Sequence, residues 1–352
     1  MIRLAIFMKI LSTRVFDDAL LTPYRQIGDE AADAVVAQIA SQQGREGLAV
    51  LMRYLGDIQT TSFDDQLPEV QIFFQEQGQL PAFANLPQME KAMAFFWKHD
   101  QQIALLLGCY SLPYCYAAAD GAQVLWLSER IKNDTYKRLE ETGEFVFGIM
   151  QERDWRNGRN IIKVLKIRLM HAVIRYFTRH SPKWDTSWGL PINQEDMAGT
   201  NLAFSYIVIR GLRKLAIPTN EADEEAYLHF WYIVGSLLGV EKLLLPQNLR
   251  EAFHLDRAIF NRQFKPSTAG VELTKSLTKI LQLQAPDSAL RNFPVAQMRF
   301  LLGNTVADLL AIPQVPLEER IIKLTTQIPL LTKLFRASKN VSPVLEKYQR
   351  RQ

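Results

Sequence analysis

Apolar residues recur at the helical period through most of this chain, and the alternation typical of half-buried strands is scarce. No βαβ rhythm, internal repeat or low-complexity tract stands out. The pattern predicts an all-α fold, a single large helical domain, with helices at residues 29–41, 46–54, 70–76, 88–99, 133–150, 160–178, 201–215, 221–240, 249–264, 272–283, 295–301, 305–310 and 317–335.

The helix predicted at residues 160–178 carries a polar face that its apolar periodicity does not explain. Arg168, His171 and Arg175 lie within a sector of about 60° and about 10 Å of rise. Two guanidinium groups that flank an imidazole would suit a cofactor with a metal at its centre and carboxylates at its edge. The alternative is a core histidine satisfied by a carbonyl or a carboxylate, beside two arginines in ordinary surface ion pairs.

The chain changes character directly after this helix. Gly189 and Pro191 end it, and a new apolar run starts at Met197. Asn193 or Asp196 is suited to cap the next helix, with Thr200 packed inward. From their spacing alone, these residues are expected to organise the turn.

Taken together, RLMHxxxR and the following GxPINQxDxxGTxxxFS resemble the oxygenase domain shared by rubber oxygenases (latex-clearing proteins) and MpaB-type proteins. The resemblance covers roughly residues 27–312 and is most specific from Arg168 to Thr200. It implies a mostly helical fold and, in the rubber-cleaving members, a b-type haem whose iron is held by the motif histidine. It therefore implies His171 as the iron ligand, Arg168, Arg175 and Thr200 as haem-binding residues, and a domain that encloses a haem and substrate cavity.

The resemblance also points to the segment RLEETG as the opposite face of that cavity. In the rubber-cleaving members the matching segment supplies an arginine, a lysine and a threonine; here Arg138 and Thr142 match, but Glu141 stands at the lysine position. A glutamate could ligate iron or act as a base, and it brings the opposite charge. The departure bears on rubber cleavage more than on haem binding. Alternatively, Glu140 and Glu141 are the solvated side of a helix.

The chain divides by pattern into an N-terminal arm at residues 1–26, the helical domain at 27–312, and a C-terminal helix with a basic tail at 313–352. Its 352 residues, 48% of them hydrophobic, are enough for one large core. The net charge of +4 comes from well-mixed signs, so no nucleic-acid partner is expected.

We expect a soluble, cytoplasmic protein. Its two cysteines, Cys109 and Cys115, favour buried thiols in a reducing compartment, and no cleavable leader is expected at the N-terminus. The longest uncharged run, residues 101–119, contains Pro113 and several polar residues, and predicts a buried, Pro-broken pair of helices. Membrane contact is at most peripheral, through the 317–335 helix and the basic tail.

Several classes of enzyme lack their motifs in this sequence. There is no phosphate-binding G-x-x-x-x-G-K-[ST], no dinucleotide-binding G-x-G-x-x-G after a strand, no G-x-S-x-G and no H-E-x-x-H. A carboxylate-bridged di-iron site needs two Glu-x-x-His motifs, and only Glu251 with His254 forms one.

The sequence therefore predicts a haem b-dependent oxidoreductase that activates dioxygen on an apolar, unsaturated substrate such as a polyisoprenoid or lipid. Arg138, Glu141 and Thr142 would face the oxygen, and the uncharged runs at 105–116 and 227–238 would shape the cavity. Two alternatives stay open. One is a haem- or lipid-binding module without catalysis, suggested by Glu141; the other is a non-haem metal enzyme that uses His171 with Glu141 or Glu144.

Overall fold

A computed structural model describes residues 14–128, 130–284 and 291–315, and leaves out the side chains of residues 130–134. Within these ranges the chain forms sixteen α-helices and no strand, which confirms the all-α prediction. The helices are α1 Asp18–Tyr24, α2 Glu30–Gly56, α3 Pro68–Gln77, α4 Leu86–Lys98, α5 Asp100–Leu106, α6 Leu112–Tyr116, α7 Ala119–Leu127, α8 Arg130–Ile149, α9 Glu152–Arg156, α10 Arg159–Arg179, α11 Gln194–Phe204, α12 Tyr206–Lys214, α13 Glu221–Leu237, α14 Leu249–Gln263, α15 Thr268–Leu283 and α16 Phe293–Leu309.

Short polar side chains start many of these helices. Each accepts a hydrogen bond from a backbone N–H in the first turn, because the first four N–H groups of a helix have no partner within it. The residues that cap in this way are Asp17, Asp29, Asn85, Asn193, Asn220, Asn248 and Ser267. The prediction that the turn after α10 contains a cap is confirmed at Asn193.

Two glycines join pairs of helices that the sequence predicts as separate. Gly44 has a φ of 61° inside α2, and Gly303 has a φ of 78° inside α16. The left-handed region is open to glycine because it has no Cβ. Each glycine therefore kinks one helix at the place where the periodicity suggests an end.

Three details of the predicted helices are wrong. Pro113 does not break the uncharged run, because it lies in the first turn of α6, where its missing N–H is not needed; a π-helical turn, Leu107–Ser111, joins α5 to α6 instead. The predicted helix 201–215 starts earlier, at Gln194, and is interrupted at Ser205. The residues between the predicted helices 133–150 and 160–178, which the pattern leaves without a helix, contain the short helix α9.

Helix α10 lies at the centre of the domain. It packs against α2, α3, α8, α9 and α13, while α13 in turn packs along α4. Its buried apolar residues join the main hydrophobic core together with the large aromatic side chains of α13. His171, near the middle of α10, is therefore surrounded by helices from several parts of the chain.

The N-terminal end of the described chain is tied to the domain by the side chain of Arg14. Arg14 donates through Nε to Glu251 Oε2 at 2.9 Å and through Nη2 to the Leu245 carbonyl at 2.5 Å. The predicted helix 317–335 and the basic tail lie outside the described residues. No helix in the described part of the chain is long and apolar enough to cross a membrane.

Candidate functional site

One stripe of α10 faces space that the core does not fill. Ile167, His171, Ile174 and Thr178 follow one another at helical spacing, and all four keep part of their surface accessible although α10 is central. Ile167 and Ile174 do not belong to the packed core, unlike their neighbours Ile162 and Met170. His171 itself is deeply enclosed by protein. His171 and the two isoleucines beside it are therefore the candidate site on α10.

The imidazole of His171 has no protein partner among the described residues. Its Nδ1 is buried and accepts or donates no hydrogen bond there, which is unusual because buried polar atoms are nearly always paired. Burial lowers the pKa of His171 to about 4, helped by the positive charges of Arg175 and Arg138 and opposed by Asp29. The ring is therefore neutral at neutral pH and keeps a lone pair, the state in which histidine binds a metal.

Arg168 forms a two-point ion pair with Asp29, which precedes α2. Its Nε donates to Asp29 Oδ2 at 2.6 Å and its Nη2 donates to Asp29 Oδ1 at 2.8 Å. A further bond from Nη1 reaches Gln77 Oε1 at 3.0 Å, and the guanidinium carbon lies 5.5 Å from the centre of the Phe73 ring. This buried cation therefore joins α10 to α2 and α3.

Arg175 joins α10 to α2 and to the turn before α11. Its Nη1 pairs with Asp33, its Nε donates to the Pro191 carbonyl at 3.1 Å, and its Nη2 donates to the Ile192 carbonyl at 3.0 Å. Both arginines thus have protein carboxylates as partners. Whether they also bind the carboxylates of a cofactor stays a prediction.

Helix α8 packs against α10 and brings a second cation toward His171. Arg138, Glu141 and Thr142 are all half-buried on α8, and the Thr142 hydroxyl donates to the Arg138 carbonyl at 2.8 Å. The positive charge of Arg138 acts to lower the pKa of both His171 and Tyr116. Burial has the larger effect on Tyr116 and raises its pKa overall. Of the predicted residues of α8, Arg138 is therefore close enough for its charge to act on His171, while the roles of Glu141 and Thr142 stay predictions.

Helix α11 approaches the end of the Arg175 side chain, which lies one turn after His171 on α10. Arg175 Nη2 lies 3.7 Å from the sulfur of Met197. Thr200 donates to the Asp196 carbonyl at 2.9 Å, and much of its surface is free of protein contacts, contrary to the predicted inward packing. Burial raises the pKa of the neighbouring Cys115 thiol to about 12, opposed by the Thr200 hydroxyl.

The donor set around His171 favours a metal that brings its own ligands. In the part of the chain that the structure describes, no three His, Cys, Asp or Glu side chains lie close enough to hold a metal ion together. Glu144, an alternative ligand from the sequence, accepts a hydrogen bond from Gln59 instead. One uncommitted imidazole fits an iron porphyrin, whose macrocycle fills the equatorial positions.

In the residues that the structure describes, the fold and site define an all-helical domain whose central helix carries an enclosed histidine, His171, with no protein partner. Residues 97–332 match the family described as "ER-bound oxygenase mpaB/B'/Rubber oxygenase, catalytic domain", and the chain belongs to this family.

Two known proteins are similar over most of the chain. The Rubber oxygenase of Streptomyces sp. (strain K30) is 25% identical over 315 residues, which cover 87% of this chain and 75% of that protein. The solved structure of the latex clearing protein LCP in its closed state has a TM-score of 0.72 and 23% identity, and covers 92% of this chain and 88% of that one. The latter shows that the fold is shared.

Sequence reasoning missed four residues that build this site. Ile167 and Ile174 were visible as apolar positions one turn either side of His171, but periodicity alone does not separate a cavity face from a packed one. Asp29 and Asp33 were visible only as acidic residues at a helix start. Their partners lie 139 and 142 residues away, and no local signal spans that distance.

Proposed function

We propose that this protein is a haem b-dependent oxygenase that acts on an apolar, unsaturated substrate such as a polyisoprenoid or lipid chain. The observation that carries the proposal is the state of His171. Its imidazole is enclosed, neutral and without a protein partner in the described residues, between two isoleucines that do not pack into the core.

When bound, haem b would supply an iron centre at which dioxygen is activated. His171 would hold the iron through one ring nitrogen. Ile167 and Ile174 would pack against the flat macrocycle and exclude water from it. Arg168 and Arg175 would act mainly through α10: their ion pairs with Asp29 and Asp33 fix the rotation of the helix, and thereby the direction of the imidazole.

On the α8 side, Arg138 and Thr142 would orient dioxygen and substrate. A guanidinium is always protonated and offers several donors, so Arg138 can stabilise negative charge that develops on oxygen. The Thr142 hydroxyl gives its proton to a backbone carbonyl and therefore offers only its lone pairs. Glu141 would bring a carboxylate that can hold a proton near the substrate.

An apolar substrate is supported by the two partly accessible isoleucines beside His171 and by the family. We assign one wall to Cys115 and Tyr116 at the end of the predicted run 105–116. The other predicted wall, residues 227–238, is almost entirely buried where α13 packs against α4, and we assign it to the core. A rubber oxygenase is similar to this chain over most of its length, and the rubber in its name is a long unsaturated hydrocarbon.

The proposal is tested by an absorption spectrum of the purified protein with and without added hemin. We expect a Soret band that His171→Ala abolishes and that free imidazole restores, because the added ring can enter the space that the substitution leaves. His254→Ala is the matched control, since His254 is exposed on α14, and it should keep the band. A protein that takes up no hemin would contradict the proposal.

A haem-binding module without catalysis is the second candidate, and the observation in its favour is Glu141. A carboxylate stands where the resemblance gives the rubber-cleaving members a lysine, so the charge that this position would present to a bound haem is reversed. Dioxygen uptake separates the two functions. Bound hemin with no uptake across polyisoprenoid and unsaturated lipid substrates favours the module, whereas uptake that depends on substrate and on Arg138 favours the oxygenase.

A further inference from the structure

A groove of about 560 Å³ lies between α2 and α3, and no residue that lines it has a part in the function proposed above. A volume of this size is within the range of small-molecule sites. Half of the described residues that line this α2–α3 groove are apolar, namely Ala31, Ala34, Val35, Pro68, Ile72 and Phe73. Ile72 keeps 51% of its surface accessible, so part of the apolar lining is open to a ligand.

The charged residues that line the groove, among those described, are both carboxylates. Glu69 and Glu76 lie on the same face of α3 as Ile72 and Phe73, because the four residues follow one another at helical spacing. About 10 Å of rise separates the two glutamates, with the apolar side chains between them. The rest of the lining consists of glutamine side chains, so the groove has a negative charge.

Glu69 is the carboxylate of the groove that lacks a partner. Only 9% of its surface is accessible, yet within the described part of the chain it forms no hydrogen bond and no ion pair. Buried carboxylates are normally paired, because removing a charge from water without a compensating partner is costly. Glu76 is exposed, and water solvates it. Glu69 is therefore the group that a cationic ligand would satisfy.

Two residues of the lining also contact Arg168 on α10. The centre of the Phe73 ring lies 5.5 Å from the guanidinium carbon, and Gln77 Oε1 accepts a hydrogen bond from Arg168 Nη1 at 3.0 Å. The charge of Arg168 is itself paired with Asp29 and does not neutralise Glu69. A ligand in the groove would lie one side chain away from Arg168.

We propose that the α2–α3 groove binds a small organic cation with an apolar body, such as an alkyl or arylalkyl ammonium ion. Glu69 accepts hydrogen bonds from the ammonium N–H groups, and the hydrocarbon packs against Val35, Ile72 and Phe73. Binding is reversible and changes no covalent bond. The site does not rest on the proposed haem function, so it is tested on the full-length protein without added hemin.

Isothermal titration calorimetry with three probes of the same body tests the charge preference. The probes are 4-phenylbutylamine, a cation at neutral pH, 4-phenylbutanol, which is uncharged, and 4-phenylbutyrate, an anion. We expect the amine to bind with a Kd below about 1 mM and the alcohol to bind at least about tenfold more weakly. Absence of binding by the amine, or equal binding by the alcohol or the anion, overturns the proposal.

Glu69→Gln tests the counter-ion, and Glu76→Gln is the matched control. Both substitutions remove one negative charge from the same face of α3, but Glu76 is exposed. We expect Glu69→Gln to weaken binding of the amine by at least about tenfold and Glu76→Gln by less than about twofold. Equal losses would indicate a diffuse attraction to an acidic surface and overturn the role of Glu69.

A second pair of variants covers the case in which Glu69→Gln does not fold. Ala34 and Ala37 are both exposed on α2, and of the two Ala34 lines the groove. Ala34→Trp should fill the groove and weaken binding of the amine by at least about tenfold, whereas Ala37→Trp should keep the wild-type affinity. Binding that survives Ala34→Trp would place the amine elsewhere on the protein and overturn the proposal.

Discussion

Arg168 and Asp29 face each other through two parallel hydrogen bonds of 2.6 and 2.8 Å, across 139 residues of chain. Both side chains are almost fully buried, with 10% and 5% of their surface accessible. A buried ion pair of this kind contributes little net stability when intact, but breaking it leaves an uncompensated charge. Its main effect is to fix how α10 is rotated, and so the direction in which His171 points.

The first prediction concerns the glycine that makes room for this pair. Gly239 has a φ of +81°, and a Cβ there would lie 2.3 Å from Asp29 Oδ2 and 2.7 Å from Arg168 Nε. Gly239→Ala should therefore push the pair apart and weaken hemin binding. Gly158→Ala is the matched control, because Gly158 has a φ of +78° with no atom within 4 Å.

Both substitutions place alanine in the left-handed region, and only Gly239→Ala adds the clash. Since breaking a buried pair costs about 3 kcal/mol or more, Gly239→Ala should lower the free energy of unfolding by about that much beyond Gly158→Ala. Chemical denaturation measures the difference. Equal losses for the two variants would mean that the pair yields to the new Cβ and does not fix α10.

The second prediction concerns Gln194, whose side chain ties three backbone segments together. Its Nε2 donates to the Gly28 and Gly239 carbonyls at 2.7 and 2.8 Å, and its Oε1 accepts from the Glu241 N–H at 2.8 Å. At about 1 kcal/mol for each bond, Gln194→Ala should lower the free energy of unfolding by about 3 kcal/mol.

Gln71→Ala is the control for this substitution. The Gln71 side chain also donates to two carbonyls, of Asp64 and Gln66, but water reaches this half-buried site and can replace the bonds. Its loss should be under about 1 kcal/mol. Urea unfolding curves for both variants measure the comparison, and similar midpoints would rule out a special role for Gln194.

The third prediction follows from the depressed pKa of His171, about 4 in the fold against 6.5 for the free side chain. Between these values the unfolded chain binds a proton that the folded chain does not, so stability falls as the pH is lowered from about 6.5 to 4. His171→Leu in hemin-free protein should remove part of this decline.

His180→Leu serves as the comparison, since His180 is exposed at the end of α10. It should leave the acid decline as steep as in the wild type. Unfolding free energies at several pH values between 4 and 7 measure both slopes. If the two variants behave alike, His171 is not held in its neutral form by the fold.

The fourth prediction concerns Lys166, a fully buried lysine on α10. Its Nζ donates to the Asp57 and Thr60 carbonyls at 2.6 and 2.8 Å and lies 3.8 Å from the centre of the Tyr54 ring. Burial lowers its pKa to about 8, opposed by Asp57. Between pH 8 and about 10.5 the unfolded chain therefore holds a proton that the folded chain has released.

Relative to Lys166→Met, the wild type should therefore gain stability as the pH rises from 8 to 10. Thermal or urea unfolding at pH 7.5, 8.5 and 9.5 measures the change. A difference between the two proteins that stays constant with pH would show that the ammonium is as well solvated in the fold as outside it.

The sequence was sufficient to predict most of the longer helices and the position of His171 on one of them, but not the short helices α1, α7 and α9. Apolar periodicity located α10 to within one residue at each end, because that helix combines a long apolar stripe with a glycine just before it and a turn after it. Gly44 and Gly303 each led the prediction to divide one helix into two. A glycine at a positive φ interrupts the pattern, but the surrounding packing carries the helix past it.

The partners of the site could not be predicted, since they depend on how distant helices meet. Arg168 and Arg175 were expected to bind a cofactor, and nothing in the local sequence identified Asp29 and Asp33 as their partners. The same holds for Asp196, which looked like a turn residue. Its partner Arg25 lies 171 residues away in the sequence and approaches it only in the fold.

Arg25 lies two residues before the predicted start of the domain at Ile27, yet its guanidinium neutralises Asp196 and also donates to the Trp188 carbonyl. A shortened version of the protein that begins at residue 27 would keep every helix from α2 onward and lose this cation. Asp196 would then lose the cation that pairs with it, whereas Glu195 would keep its ion pair with Arg262. Any attempt to trim the protein to a minimal catalytic unit should therefore keep the segment that begins at Arg14.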